Sequence, residues 1–221
     1  MNRLTLFDLD HTLLTGDSDV LWCEFLMQRG ALDRASFAQR NREMEIRYQS
    51  GTVPAREFCE FYVSTMAGRN ASGWHGLRQD FLDEVIARRI PATARALVRQ
   101  HQQAGDLVLM STATNRVITE LTAAHLGIEH LLATECEVSA DGTFSGRVEG
   151  TPNMREGKVA RLHTWLAARG EVLASFETRF YSDSINDLPL LLAVQYAVVV
   201  DPEPRLRAEA ATRGWPVLSL R

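Results

Sequence analysis

A chain of 221 residues with 45% hydrophobic and 24% charged residues can bury a sizeable core, as one large domain or as one domain with an insert. Its net charge of −4 argues against general nucleic-acid binding, which wants a basic face, and its longest apolar stretches fall far short of a membrane span. The start, Met1-Asn-Arg, meets a charge too early for a secretory signal. Cys23, Cys59 and Cys136 are widely spaced and without metal-ligand pattern, which predicts reduced thiols in a cytoplasmic protein.

The first predicted element is a strand over 4–9. Residues 15–87 then read as helical, with helices over 20–29, 33–48, 55–66 and 73–88. From Pro91 the pattern alternates, with a helix over 92–103, a strand over 107–111, a helix over 116–126 and a strand over 131–135. Asp141-Gly142 between alternating flanks predicts a β-hairpin. A helix over 158–168, an aromatic-rich strand over 178–182, a helix over 187–192, a strand over 197–200, a helix over 203–212 and a strand over 216–218 follow. Such alternation implies parallel pairing, an α/β fold with a doubly wound sheet. The expected division is a core of residues 1–14 and 88–221 with a helical cap, 15–87, inserted after the first strand.

Three polar punctuation marks stand at strand ends, where an open parallel sheet places its ligand crevice, and a fourth opens a helix. Asp8 and Asp10 stand at the end of the first strand, where alternation puts both on the same side of an extended backbone; two buried like charges are costly unless a cation or a shared proton relieves them. Mg²⁺ suits such a site because it takes oxygen ligands and a substrate phosphate. Asp183 and Asp187 follow the 178–182 strand in the same way, and either would serve as a helix N-cap. Ser111 and Thr112 end an apolar run before a helix, forming either an anion cradle or an ordinary cap. Lys158 is the sole lysine in a chain whose other basic residues are all arginine, a compact point charge retained where arginine is otherwise preferred.

The order Asp8-x-Asp10-x-Thr12, then Ser111, then Lys158, then Asp183-x-x-x-Asp187 resembles the haloacid dehalogenase-like hydrolase superfamily. Asp141-Gly-Thr-Phe-Ser-Gly146 and Asp183-Ser-Ile-Asn-Asp-Leu-Pro189 bring it closest to the phosphoserine-phosphatase-like branch. The resemblance covers nearly the whole chain and is weak between residues 15 and 85. It implies a Rossmann-like core and a phosphomonoesterase in which Asp8 is the nucleophile, forming an aspartyl-phosphate, and Asp10 the general acid and base. It further implies Mg²⁺ held by Asp8, the Asp10 carbonyl and Asp183, with Asp187 ordering metal-bound water. Thr12, Ser111, Thr112 and Asn186 would bind phosphoryl oxygens, and Lys158 would balance the charge of the phosphoryl group in transfer.

For the substrate, a small phosphate ester, the resemblance points to an amino-alcohol phosphate. Asp17 stands where phosphoserine phosphatases carry the glutamate that meets the substrate amine; its plain alternative is capping the helix that begins near Ser18. Arg40, Arg42, Arg47 and Arg56 are candidates for a carboxylate partner, as in phosphoserine, while the acidic Glu43-Met-Glu45 beside Asp17 and Asp19 suits a substrate without one, such as histidinol phosphate. A mutase sharing the aspartyl-phosphate is the nearest rival. A receiver domain would be about half this length and lack the insert, and a silent phosphate-binding module would not need the full Asp8–Asp10–Ser111–Lys158–Asp183 set. The sequence leaves the oligomeric state open.

Overall fold

The computed structural model describes residues 2–221. Among these, the strands β1 (Asn2–Phe7), β2 (Leu107–Asn115), β3 (His130–Val138), β4 (Phe144–Glu149), β5 (Phe176–Ser182), β6 (Tyr196–Val200) and β7 (Val217–Leu218) form one sheet in the order β4-β3-β2-β1-β5-β6-β7. All neighbours are parallel except β3 and β4, the expected hairpin, which are antiparallel. From β1 the chain winds outward through β2 and β3, then returns to β5 on the other side. The reversal lies between β1 and β5, so the crevice opens beyond Phe7 and Ser182.

The helices between β1 and the sheet's second strand are α1 (Ser18–Gln28), α2 (Arg34–Gln49), α3 (Ala55–Val63), α4 (Ala71–Phe81) and α5 (Ala92–Gln103); α6 (Arg116–His125), α7 (Glu156–Ala167), α8 (Leu188–Ala193) and α9 (Pro204–Arg213) follow. Their starts follow from local chemistry. Asp33, Asn70 and Asn115 accept from the first-turn amides of α2, α4 and α6, and Pro54 and Pro91 precede α3 and α5.

Alternation in β1 sends Leu4 and Leu6 to one face, where they meet Leu162, Leu166, Phe180, Leu190 and Leu206. Phe7 faces the other side, against Tyr181, with ring centroids 4.8 Å apart. On that side the core continues without a break into the inserted helices, where Trp22 packs on Phe25, Trp74 and Phe81 at 5.9, 5.7 and 5.1 Å. Large aromatic rings dominate the burial there.

Several predicted bounds shift. β1 ends at Phe7, so Asp8 and Asp10 stand in the following loop and strand alternation does not set their directions. β2 runs past Ser111 to Asn115 with an irregular register between them. The carbonyls freed there find side chains instead: Asn153 donates to Thr112 O at 2.9 Å and Thr134 to Ala113 O at 2.7 Å. The 73–88 helix breaks into α4, a π-helical turn (Leu82–Ile86) and a 3₁₀ turn (Ala87–Arg89). Lys158 lies inside the first turn of α7 rather than opening it, and α8 begins at Leu188 after a 3₁₀ turn, Ile185–Asp187.

Candidate active site

The loop after β1 is wound tightly. Thr12, Leu13 and Leu14 all donate to the Leu9 carbonyl, and His11 takes a left-handed φ of 56°. This turns Thr12 back onto the strand end. Its hydroxyl lies 3.3 Å from Asp8 Oδ2 and 3.1 Å from Asp183 Oδ1, bridging the carboxylates that follow β1 and β5. The β1–β5 pairing fixes that meeting, since Phe7 is in register with Tyr181 and the Asp8 amide donates to the Tyr181 carbonyl at 2.9 Å.

Lys158 reaches in from α7. Its Nζ donates to Asp8 Oδ1 at 2.8 Å and to Asp187 Oδ2 at 2.8 Å, and Ser182 Oγ donates to the same Asp187 oxygen at 2.7 Å. Both oxygens of Asp187 are thus taken up by Lys158 and Ser182. Burial alone would lower the Lys158 pKa, but Asp187 and Asp8 outweigh it and hold the ammonium charged. Burial pushes Asp8 up to about 7 despite Lys158, with Asp187 and Asp10 adding to the rise. Burial and the charges of Asp8 and Asp187 likewise raise Asp183 well above the carboxylate range. One ammonium pairs with Asp8 and Asp187 while Asp183 meets the Thr12 hydroxyl, so the three carboxylates are short of positive charge.

Asp10 faces another way. Its Oδ1 accepts from the Ser18 amide at 2.7 Å, and its Oδ2 lies 2.9 Å from Thr114 Oγ1 and 3.3 Å from Thr112 Oγ1. Three contacts from two elements lock its rotamer. Ser111 is fully buried, and its Oγ accepts from Asn153 Nδ2 at 3.1 Å, which leaves its own hydrogen free to donate. Asn186 sits in the turn with Asp183 and Asp187, its Oδ1 held by Arg155 Nε at 3.0 Å. Asp17 is the N-cap of α1, accepting from Val20 N at 3.0 Å, and also lines a cleft of about 440 Å³ with Glu45, Tyr48, Asp183, Glu203 and Arg205. Burial first, then Asp10 and Glu45, push its pKa up to about 8.

Sequence reasoning missed Thr114, Asn153, Ser182 and Arg155. A hydroxyl or amide that orients a carboxylate has no fixed spacing from it. The visible hint was polarity at buried strand ends, Ser111-Thr-Ala-Thr-Asn115. Three of the candidate arginines, Arg40, Arg47 and Arg56, have partners away from the carboxylate cluster. Arg47 pairs with Glu57, Arg56 with Glu60, and Arg40 lies over Phe37 and Phe61. These three line a separate cleft of about 620 Å³ between α2 and α3.

Residues 5–192 match the haloacid dehalogenase-like hydrolase family, and the chain belongs to it. A histidinol-phosphatase from Neisseria meningitidis serogroup C is 39% identical over the full length of both chains, and phosphoserine phosphatase SerB1 of Mycobacterium tuberculosis is 33% identical over all of this chain and 72% of its own. Within the family, then, the protein is a phosphatase. Its structure superposes with a TM-score of 0.94, at 43% identity and full coverage of both, on a Bordetella pertussis Tohama I protein of unknown function. A substrate-bound phosphoserine phosphatase shares the fold, with a TM-score of 0.70 over all of this chain and 94% of that one at 16% identity.

Proposed function

We propose that the protein is a cytoplasmic, Mg²⁺-dependent phosphomonoesterase that works through an aspartyl-phosphate on Asp8. The observation that carries this reading is Lys158 held between Asp8 and Asp187 while Thr12 bridges Asp8 to Asp183. Asp8 Oδ2 is the freer oxygen, touched only by a long Thr12 contact, and is the one that would attack phosphorus. As its bond to phosphorus forms, the bond to the ester oxygen breaks, and Asp10 protonates the departing alkoxide. Water then attacks the aspartyl-phosphate with Asp10 taking its proton, which releases phosphate and returns Asp8 to a carboxylate and Asp10 to its protonated form. Thr12, Ser111, Thr112 and Asn186 supply donors to the phosphoryl oxygens, and Lys158 balances their charge.

The donor set fits a hard divalent cation. Buried oxygens of Asp8 and Asp183, both with raised pKa, converge where positive charge is lacking. Among the described residues no group of three or more His, Cys, Asp or Glu is placed to hold a metal ion, so carbonyl and water oxygens would have to complete the shell around one or two carboxylates. Asp8, Asp183 and the Asp10 carbonyl would hold it, with Asp187 engaged through Lys158 and Ser182. When bound, Mg²⁺ supplies the charge neutralisation that lets an anionic carboxylate approach an anionic phosphate.

The substrate we favour is an amino-alcohol phosphate lacking a carboxylate, with histidinol phosphate as its type. Asp17, Glu45, Asp201 and Glu203 line the cleft beside Asp183, and they outnumber the arginines there, Arg205 and Arg221, a negative balance suited to a cation. Arg40, Arg47 and Arg56, which a phosphoserine carboxylate would need from the inserted helices, belong to the other cleft. Residues 15–87 would act as the cap that closes over this cleft and excludes water. No helix of the described residues is long and apolar enough to cross a membrane.

A phosphate-release screen with Mg²⁺ tests the reading, using histidinol phosphate, phosphoserine and a sugar phosphate with and without an acceptor. Fastest release from histidinol phosphate, abolished by chelator and restored by Mg²⁺, is expected. Full activity in excess chelator sinks the metal, and acceptor-dependent transfer without phosphate release would make the protein a mutase.

A further inference from the structure

The α2–α3 turn of the inserted helices reaches the catalytic crevice through one side chain. Arg155 donates from Nε to Asn186 Oδ1 at 3.0 Å and from Nη2 to the Gly51 carbonyl at 3.4 Å. Gly51 follows α2, so a single guanidinium spans the insert and the Asp183–Asp187 turn. Its planar fork suits two acceptors at fixed angles. Beside it, Arg205 donates to the Ser50 carbonyl at 3.4 Å, and a Cβ on Gly51 would come within 2.7 Å of Arg205 Nη1. The turn therefore sits tightly between two arginines of the core.

The backbone at Arg155 is strained for the sake of this placement. It lies at φ 54°, ψ −125°, while the Gly157 amide donates to the Met154 carbonyl at 2.9 Å. That is the first central position of a type II′ turn, where glycine is the favoured residue. The turn is crowded two residues on, where a Cβ on Gly157 would fall 2.0 Å from the Pro152 carbonyl. Glycine occupies the crowded position, and arginine the one whose φ calls for glycine. Non-glycine residues held in such regions cluster at functional sites, where the surroundings over-determine them.

We infer that Arg155 is a positioning residue that couples the seating of the α2–α3 turn to the orientation of the Asn186 amide. With Oδ1 held by Arg155, the amide is fixed with its nitrogen turned the other way. Ser184 Oγ, at 3.4 Å, takes at most one of its two hydrogens, and the second is left for a phosphoryl oxygen. When the turn lifts away, Arg155 loses one of its two anchors and Asn186 its fixed flip state. The inference rests on the proposed role of Asn186 as a phosphate donor.

Two variants of the full chain test it by thermal melting, phosphate-release kinetics on histidinol phosphate and direct titration with inorganic phosphate, all with Mg²⁺. Arg155→Gly relieves the φ strain and removes the fork. It should raise Tm by about 2–4 °C while weakening phosphate binding and kcat/KM by about tenfold, mostly through KM. Arg155→Met keeps the strain, so it should show the same losses without the gain in Tm. Opposite movement of Tm and phosphate affinity is something a merely structural arginine would not produce. Wild-type phosphate affinity in either variant, or a fall in Tm for Arg155→Gly, overturns the inference. A wild-type protein that binds phosphate but hydrolyses no ester would break the proposed function, and the binding titration would still decide this one.

Discussion

The crevice beyond β1 and β5 and the inserted helices of residues 18–89 both exclude water, but polar groups dominate the burial in the first and aromatic rings in the second. The crevice buries Asp8, Asp183, Asp187 and Lys158 together with Thr12, Ser111 and Ser182. The inserted helices bury Trp22, Phe25, Phe58, Phe61, Tyr62, Trp74 and Phe81. In the first region each contact is directional, and one ammonium pairs with two of three neighbouring carboxylates, so the arrangement is held against its own repulsion. In the second, rings fill space and few contacts depend on an angle. The lesson is that the molecule spends stability in one place and recovers it in the other, as active sites built on rigid scaffolds commonly do. Substitutions should therefore separate: the crevice should lose rate, and the insert should lose stability.

The sharpest break of that contrast is Asp8→Asn. Turnover should fall by roughly ten-thousand-fold or more, as when an enzyme loses its nucleophile, and no covalent phosphate adduct should be found by mass spectrometry. Because one of three crowded carboxylates is neutralised, Tm at pH 8 should hold or rise. A phosphorylated residue other than Asp8 would overturn the assignment.

Asp10→Asn comes next. Loss of a general acid and base costs about a hundred- to ten-thousand-fold. The Ser18 amide, Thr112 and Thr114 still surround the side chain, so the fold should stay intact by circular dichroism. A loss confined to KM would argue that Asp10 only positions the loop.

Trp22→Ala probes the other region. Truncating a fully buried tryptophan should cost about 3–5 kcal/mol of stability, measured by urea denaturation. The kcat/KM for a small aromatic phosphate, taken well below the melting point, should stay within a few-fold of wild type. A hundredfold drop with unchanged stability would show that the insert takes part in the chemistry.

The mildest effect is expected from Asp17→Asn, on the border between the two regions. Asparagine keeps the N-cap of α1, so only the charge is lost. Charge-assisted hydrogen bonds contribute about 1.5–3 kcal/mol, so kcat/KM for histidinol phosphate should drop about ten- to a hundred-fold while para-nitrophenyl phosphate is spared. The folded pKa of Asp17, pushed to about 8, stands above its ordinary value. Its contribution to stability is then complete at low pH and is lost as pH rises toward 8. The Tm of the variant relative to wild type should accordingly improve between pH 4 and pH 8. Equal losses on both substrates with a lowered Tm would leave Asp17 as a cap alone.

The spacing of Asp8, Asp10 and Thr12, the alternation of apolar strands with helices after Pro91 and the Asp141-Gly142 turn were legible in the chain because each is local. A period, a turn residue or a carboxylate pair depends on neighbours in sequence, and such patterns specify a doubly wound sheet with acids at its carboxyl end. They could not show that Asp8 and Asp10 point to different partners, because β1 ends at Phe7 and the loop, not strand alternation, aims them. Nor could they assign Asn153 to Ser111, Thr114 to Asp10 or Arg155 to both Asn186 and Gly51. Those pairs are 42, 104, 31 and 104 residues apart. Only the packing of the inserted helices and α7 against the sheet brings them within hydrogen-bond distance. Hydrogen bonds to side chains carry no sequence period, so the residues that orient the carboxylates emerge only when the tertiary fold closes around them.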